Sequence, residues 1–129
     1  MIRLLPHVVL AAHTHLIEAY GGDGGMRGDT SAILDGALGG VFQEALLRGD
    51  FEPTRLGARY CARIAMAHAF LDGNKRTAAA TMLFVWNLSG YELPLESEPE
   101  SLRLILALLA DHRTDDAFVE GMAALARRI

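Results

Sequence analysis

The chain has 129 residues, of which 51% are hydrophobic and 22% charged, and its formal net charge at pH 7 is −4. This length allows one domain, residues 1–129, around a single core, and the composition excludes a disordered chain. The acidic balance argues against a general nucleic-acid binder, and no apolar run is long enough to span a bilayer. The single cysteine, Cys61, excludes an internal disulfide and is typical of a cytoplasmic protein.

Hydrophobic residues at helical spacing, with start and stop signals between them, predict an all-α fold of about six helices. The helices are expected over residues 6–20, 30–48, 53–70, 74–88, 97–110 and 114–128. No stretch shows a convincing strand pattern. The helix over 74–88 is apolar on nearly all sides, which is typical of a helix at the centre of a core.

Several helix ends have recognisable capping residues. Thr30 or Ser31 is expected to cap the second helix, and residues 97–100, Ser-Glu-Pro-Glu, form a capping box for the fifth. Residues 114–116, Thr-Asp-Asp, are expected to cap the sixth helix. That helix is predicted to reach Arg128, which places cations at its negative end.

Residues 21–29, GGDGGMRGD, contain five glycines and are not expected to form regular structure. We interpret this segment as a mobile loop or flap whose exposed backbone could pair with an extended peptide. The alternative is that it simply connects two helices.

Two further patterns have structural interpretations. His13 and His15 are two residues apart and point to different faces of a helix, so a metal pair is not expected. Arg55, Arg59 and Arg63 recur every four residues, and we interpret them as a solvated basic stripe. Both patterns therefore predict surface or internally satisfied side chains.

Residues 67–81, AHAFLDGNKRTAAAT, are the most informative stretch of the chain. A turn signal at residues 72–74 divides it, which predicts a helix, a tight loop and a second helix. The second helix begins with Lys75 and Arg76, although the positive end of a helix dipole favours acidic residues. A bound anion would make these cations favourable, and such local conflicts are expected at functional sites. The alternative is that both side chains point into water.

The residue types in this loop suit phosphate chemistry. Asp72 offers a carboxylate of the kind that Mg²⁺ binds together with phosphate oxygens. Asn74 and the N–H groups that follow Gly73 can hold an anion, while the two cations neutralise phosphate charge. His68 has the side chain suited to taking a proton from a hydroxyl near neutral pH. The set predicts phosphoryl or nucleotidyl transfer.

Residues 68–76, HAFLDGNKR, resemble the signature of the Fic/Doc superfamily. The Fic branch reads His-x-Phe-x-Asp/Glu-Gly-Asn-Gly-Arg-x-x-Arg. Here Lys75 stands in place of the second glycine and Ala79 in place of the last arginine, and both differences resemble the Doc branch. Residues 25–27 and 33–38 also look like the glycine-arginine loop and following helix of Doc-like proteins.

The resemblance implies an activity and partners. Doc-like proteins are toxins of toxin–antitoxin pairs, and Doc phosphorylates a threonine of elongation factor Tu with ATP and Mg²⁺, which stops translation. Fic proteins instead transfer AMP to a target hydroxyl. Some of them are silenced by a Ser/Thr-x-x-x-Glu-Gly/Asn helix. Residues 31–36 resemble that helix with Asp in place of Glu. The expected regulator is nevertheless a separate Phd-like antitoxin.

The resemblance also assigns roles by position. It implies that His68 is the base acting on the target hydroxyl, that Asp72 binds Mg²⁺, and that Phe70 anchors the loop in the core. It implies that the nucleotide phosphates are bound by Gly73, Asn74, Lys75 and Arg76.

The leading hypothesis is therefore a cytoplasmic Doc-like kinase with no membrane or direct nucleic-acid partner. Fic-type AMP transfer is the second hypothesis, and a non-catalytic binding domain is the third. A metal-dependent hydrolase that uses His68 and Asp72 is a more distant fourth.

Overall fold

The computed structural model describes residues 3–111 and 115–129. Its elements in chain order are α1 (Pro6–Tyr20), α2 (Thr30–Arg48), α3 (Pro53–Ala67), α4 (Asn74–Leu88), β1 (Tyr91–Glu92), α5 (Glu98–Asp111), α6 (Asp115–Leu125) and β2 (Arg127–Arg128). The predicted all-α class is confirmed, with six helices in the described residues. Within that part of the chain, no helix is both long and apolar enough to cross a membrane.

The centre of the fold is the antiparallel pair formed by α3 and α4. Trp86, near the end of α4, is fully buried and donates a hydrogen bond from Nε1 to the Thr54 carbonyl oxygen at the start of α3 (3.0 Å). Gly57 allows this close approach, since a Cβ atom there would lie 2.7 Å from Trp86 Cδ1. The α3–α4 connection, residues 68–73, therefore lies at the opposite end of the pair.

The other helices surround this pair. The first helix packs against α4 and α2, the second and sixth pack against α3, and the fifth packs against α4 and α6. The central position predicted for α4 is consistent with these contacts, although Phe84 is 44% exposed on one side of it. Cys61 is fully buried within α3, and burial raises the pKa of its thiol, which makes the thiol unreactive.

Two predicted helix ends are wrong. The third helix ends at Ala67 rather than residue 70, because His68 adopts a left-handed conformation with φ 50° and ψ 45°. The sixth ends at Leu125 rather than residue 128. The sequence shows no convincing strand pattern, yet β2 pairs antiparallel with β1 in a small two-stranded sheet. A two-residue strand is too short to show an alternating pattern, so only the long-range pairing reveals it.

The caps are partly as predicted. The second helix is capped by Asp29 rather than Thr30 or Ser31, because the Asp29 carboxylate accepts a hydrogen bond from the Ala32 N–H (3.1 Å). The Ser97 hydroxyl accepts from the Glu100 N–H (3.3 Å), which confirms the cap of α5. Thr114 of the predicted α6 cap lies outside the described residues.

The predicted solvated stripe of arginines on α3 is wrong. Arg59 is only 5% exposed and donates to Asp116 on α6 (3.0 Å). Arg63 donates to Glu44 on α2 (2.8 Å) and to Asp115 (3.1 Å). Acidic residues from two neighbouring helices therefore bind the stripe, and the periodicity within α3 gives no sign of them.

We expect Gly57→Ala to destabilise the fold by about 1–3 kcal/mol, because the new methyl group would overlap the buried Trp86 ring. Gly36→Ala is the matched control, since a Cβ atom at this exposed position in α2 meets nothing within 4 Å. It should stabilise by up to about 1 kcal/mol through helix propensity. Denaturant unfolding measures both, and equal stability of the two variants would contradict the packing.

The Asp116 carboxylate should make the stability depend on acid pH. The hydrogen bond from Arg59 and the charge of Arg48 lower the pKa of Asp116 in the folded state. Its stabilising effect is therefore complete above the unfolded pKa of about 4 and is lost as the pH falls through the lower folded value. We expect Asp116→Asn to melt below the unchanged protein at pH 7, with the difference closing below pH about 4. Asp35→Asn, at an exposed position on α2, is the control and should show no such difference.

Candidate active site

The α3–α4 connection is shaped by the first residue of α4. The Asn74 side chain accepts a hydrogen bond from the Phe70 N–H through Oδ1 (3.0 Å) and donates to the Phe70 carbonyl oxygen through Nδ2 (2.9 Å). Phe70 is fully buried and its ring stacks on His13 of α1, with centroids 3.7 Å apart. This burial agrees with the anchoring role that the family resemblance implies for Phe70, and it fixes the path of the loop.

The first helix supports the same loop. His13 is buried, and its Nε2–H donates to the Asp72 carbonyl oxygen (2.9 Å), so it is a satisfied internal histidine, as expected. One turn later, Ile17 lies 3.5 Å from the place where a Cβ atom of Gly73 would stand. Because Gly73 has a φ of 77°, a side chain there would be both strained and in contact with α1.

The glycine-rich segment also packs on the loop. The Arg27 N–H donates to the Ala69 carbonyl oxygen and the Leu71 N–H donates to the Gly25 carbonyl oxygen, both at 3.1 Å. These bonds pair Met26 with Phe70 as an isolated antiparallel bridge. The edge of the glycine-rich segment that faces the loop is therefore already paired. The hypothesis that an extended peptide pairs with this segment now applies only to its opposite, outer edge at Met26.

The Asp72 carboxylate is exposed and oriented by backbone groups. Its Oδ1 accepts from the Gly73 N–H (2.8 Å) and its Oδ2 from the Asp23 N–H (3.4 Å). The remaining lone pairs are available to a cation. No group of three or more His, Cys, Asp or Glu side chains that could hold a metal occurs in residues 3–111 and 115–129. A metal at Asp72 would therefore be completed by water and phosphate oxygens, as Mg²⁺ commonly is.

His68 has an unusual backbone. It is the only residue other than glycine with a positive φ in the described parts of the chain. Its side chain is exposed and lines a cavity of about 330 Å³. Left-handed conformations of residues with a Cβ atom are strained, and such strain is concentrated at functional sites.

The cavity brings together all the site residues that the motif predicted. Its lining includes His68, Asp72, Gly73, Asn74, Lys75 and Arg76. Its volume lies within the range of small-molecule sites. The sequence did not indicate Leu106 of α5, which also lines the cavity. Its apolar side chain at helical spacing looks like any core residue, so no sequence signal could have found it.

The two cations at the start of α4 are available to an anion. Lys75 and Arg76 are exposed, and neither forms an ion pair within the described residues. Free N–H groups of the first helical turn lie beside them. The Asn74 side chain is engaged by Phe70, so its direct contact with phosphate remains a prediction. The cations fit a polyphosphate, and Asp72 beside them fits its divalent metal.

We expect His68→Gly to be more stable than the unchanged protein by about 1 kcal/mol, because glycine adopts a φ of 50° without strain. His68→Ala keeps the Cβ atom and should gain nothing. Denaturant unfolding of the three proteins measures the difference. A glycine variant no more stable than the alanine variant would show that the backbone at residue 68 is not strained.

Comparison with known proteins agrees with this geometry. No curated protein matches the chain. A sequence model described as the Fic/DOC family matches residues 3–86, which include α1, the glycine-rich segment, the α3–α4 connection and most of α4. Proteins of that family generally transfer nucleotide-derived groups to proteins, using ATP and a divalent metal. Because the match covers more than half of the chain and all the predicted site residues, the chain belongs to the Fic/DOC family.

Proposed function

We propose that the chain is a Doc-type toxin that transfers the γ-phosphate of ATP to a serine or threonine hydroxyl of a protein such as elongation factor Tu. This transfer blocks translation until a Phd-like antitoxin restrains the enzyme. The observation that supports the proposal best is the cavity shared by His68, Asp72 and the cations Lys75 and Arg76, neither of which forms an ion pair with the residues that the structure describes.

Each side chain has a defined part in the proposed transfer. The target hydroxyl loses its proton to His68 while its oxygen bonds to the γ-phosphorus, and the bond from that phosphorus to the bridging oxygen breaks to release ADP. Lys75 and Arg76 hold the phosphate oxygens, Arg76 as a fork and Lys75 as a point charge. Asp72 would hold Mg²⁺, which neutralises charge that develops on the phosphates.

Two positions favour phosphate transfer over AMP transfer. Lys75 adds a cation where the Fic branch has glycine. Ala79 takes the place of the last arginine of that branch, and it is fully buried in α4. The phosphate chain therefore meets a different set of cations from the Fic set, which changes the phosphorus that faces the target hydroxyl.

The proposed setting is the cytoplasm, with the antitoxin and the protein target as partners. Its support is the resemblance of the motif to Doc, the unpaired buried Cys61 and the net charge of −4. The acidic balance does not suit direct nucleic-acid binding.

The decisive experiment incubates the protein and Mg²⁺ with elongation factor Tu and ATP labelled at the γ or the α phosphorus. We expect label to be transferred from the γ position only, and His68→Ala to lower the rate by about 10²–10⁴-fold. His15→Ala is the matched control, because this exposed histidine of α1 does not line the cavity, and it should not change the rate.

Label from the α position only would reject the kinase proposal in favour of AMP transfer. If neither label is transferred and His68→Ala leaves toxicity unchanged in cells that lack the antitoxin, the chain is a binding domain rather than an enzyme.

A further inference from the structure

The first helix contacts the α3–α4 connection through one face. His13, Ile17 and Tyr20 are four and three residues apart, so their side chains point in the same direction. The first two contact the loop at Asp72 and Gly73, as described above. The third contact lies further along the motif, where the Arg76 guanidinium carbon stands 5.2 Å from the centroid of the Tyr20 ring.

We infer that Tyr20 is a positioning residue that holds the Arg76 guanidinium ready for a nucleotide phosphate. The inference rests on the proposed function and assigns a further residue to the same site. Tyr20 belongs neither to the motif nor to the residues that line the cavity.

Arg76 pairs with an aromatic ring rather than with a carboxylate. Arg3 and Arg128 also lie over aromatic rings, but of these three arginines only Arg76 lines the cavity. Five other arginines in the described residues bind carboxylates, namely Arg48, Arg55, Arg59, Arg63 and Arg127. A carboxylate partner would neutralise the charge of Arg76 and occupy its N–H donors. An aromatic face attracts the guanidinium without doing either. The ring therefore restricts the side chain while its charge and its forked donors remain available to phosphate.

The backbone at Tyr20 is well suited to this role. Tyr20 is the last residue of α1, and the Gly21 N–H closes the final turn by donating to the Ile17 carbonyl oxygen (2.8 Å). Gly21 then turns the chain with a φ of 81°, which favours glycine. The ring is therefore presented by an ordered helical turn rather than by the irregular segment that follows.

The test compares Tyr20→Leu, which removes the ring, with Tyr20→Phe, which keeps it. Calorimetry measures the affinity for a non-hydrolysable ATP analogue with Mg²⁺. We expect Tyr20→Leu to bind about two- to fivefold more weakly and Tyr20→Phe to bind like the unchanged protein. Tyr91→Leu is the matched control, since Tyr91 stacks with Arg128 at 5.5 Å but does not line the cavity, and it should not alter the affinity.

A second readout does not depend on nucleotide. The Tyr20 ring current should shift the NMR signals of the Arg76 side chain in the free protein, and Tyr20→Leu should abolish that shift. In an Arg76→Ala background, Tyr20→Leu should cause no further loss of affinity, because a double-mutant cycle isolates the interaction between the two side chains. Thermal unfolding checks that each variant folds, and Tyr20→Met replaces the leucine variant if that variant does not.

Three results would overturn the inference: unchanged affinity in Tyr20→Leu, an equal loss in the Arg76→Ala background, or no ring-current shift. If the unchanged protein binds no ATP analogue, the proposed function fails, and the inference that rests on it fails too. If the unchanged protein binds and Tyr20→Leu binds equally well, only the role of Tyr20 is rejected.

Discussion

The contact between Asn74 and Phe70 is the constraint on which the rest of the site depends. One amide side chain satisfies both the N–H and the carbonyl group of a residue four positions earlier, and so closes the α3–α4 connection into a tight loop. Burial of the Phe70 ring against His13 ties that loop to the core and to α1. The exposed side chains on either side, His68 and Asp72, therefore project from a rigid support, which catalysis requires.

Two groups of basic residues in this protein differ in their partners. Of the twelve lysines and arginines, one is a lysine, Lys75, and it stands in the cavity. The arginines of α3 are neutralised by acidic residues of α2 and α6, so they join helices rather than bind ligands. Lys75 and Arg76 have no carboxylate partner in the described residues, so their charge is available at the positive end of α4. The partners therefore distinguish the arginines of α3, which join helices, from the two cations that line the cavity.

The sequence predicted most of the fold because helix signals are local. The hydrophobic spacing and the flanking glycines and prolines located four of the six helices to within a residue or two at both ends, and the motif placed the loop between the third and fourth. The errors occur where distant parts of the chain decide the outcome. The stripe of Arg55, Arg59 and Arg63 pairs with two other helices, and the residues after Leu125 leave the helix to pair with β1. The local sequence of neither segment indicates the distant residues with which it pairs.

By itself, the sequence determined which residues meet in the site, because six of them lie within nine consecutive positions and a turn signal brings them together. Only the tertiary structure decided how they are held. The left-handed backbone of His68 shortens α3, α1 supports the loop through His13 and Tyr20, and Leu106 of α5 lines the cavity. The contacts of α1 join residues far apart in the chain, and no local sequence signal marks His13, Tyr20 or Leu106 as part of the site. The packing of the helices, which no local sequence pattern encodes, therefore determines how the site residues are held.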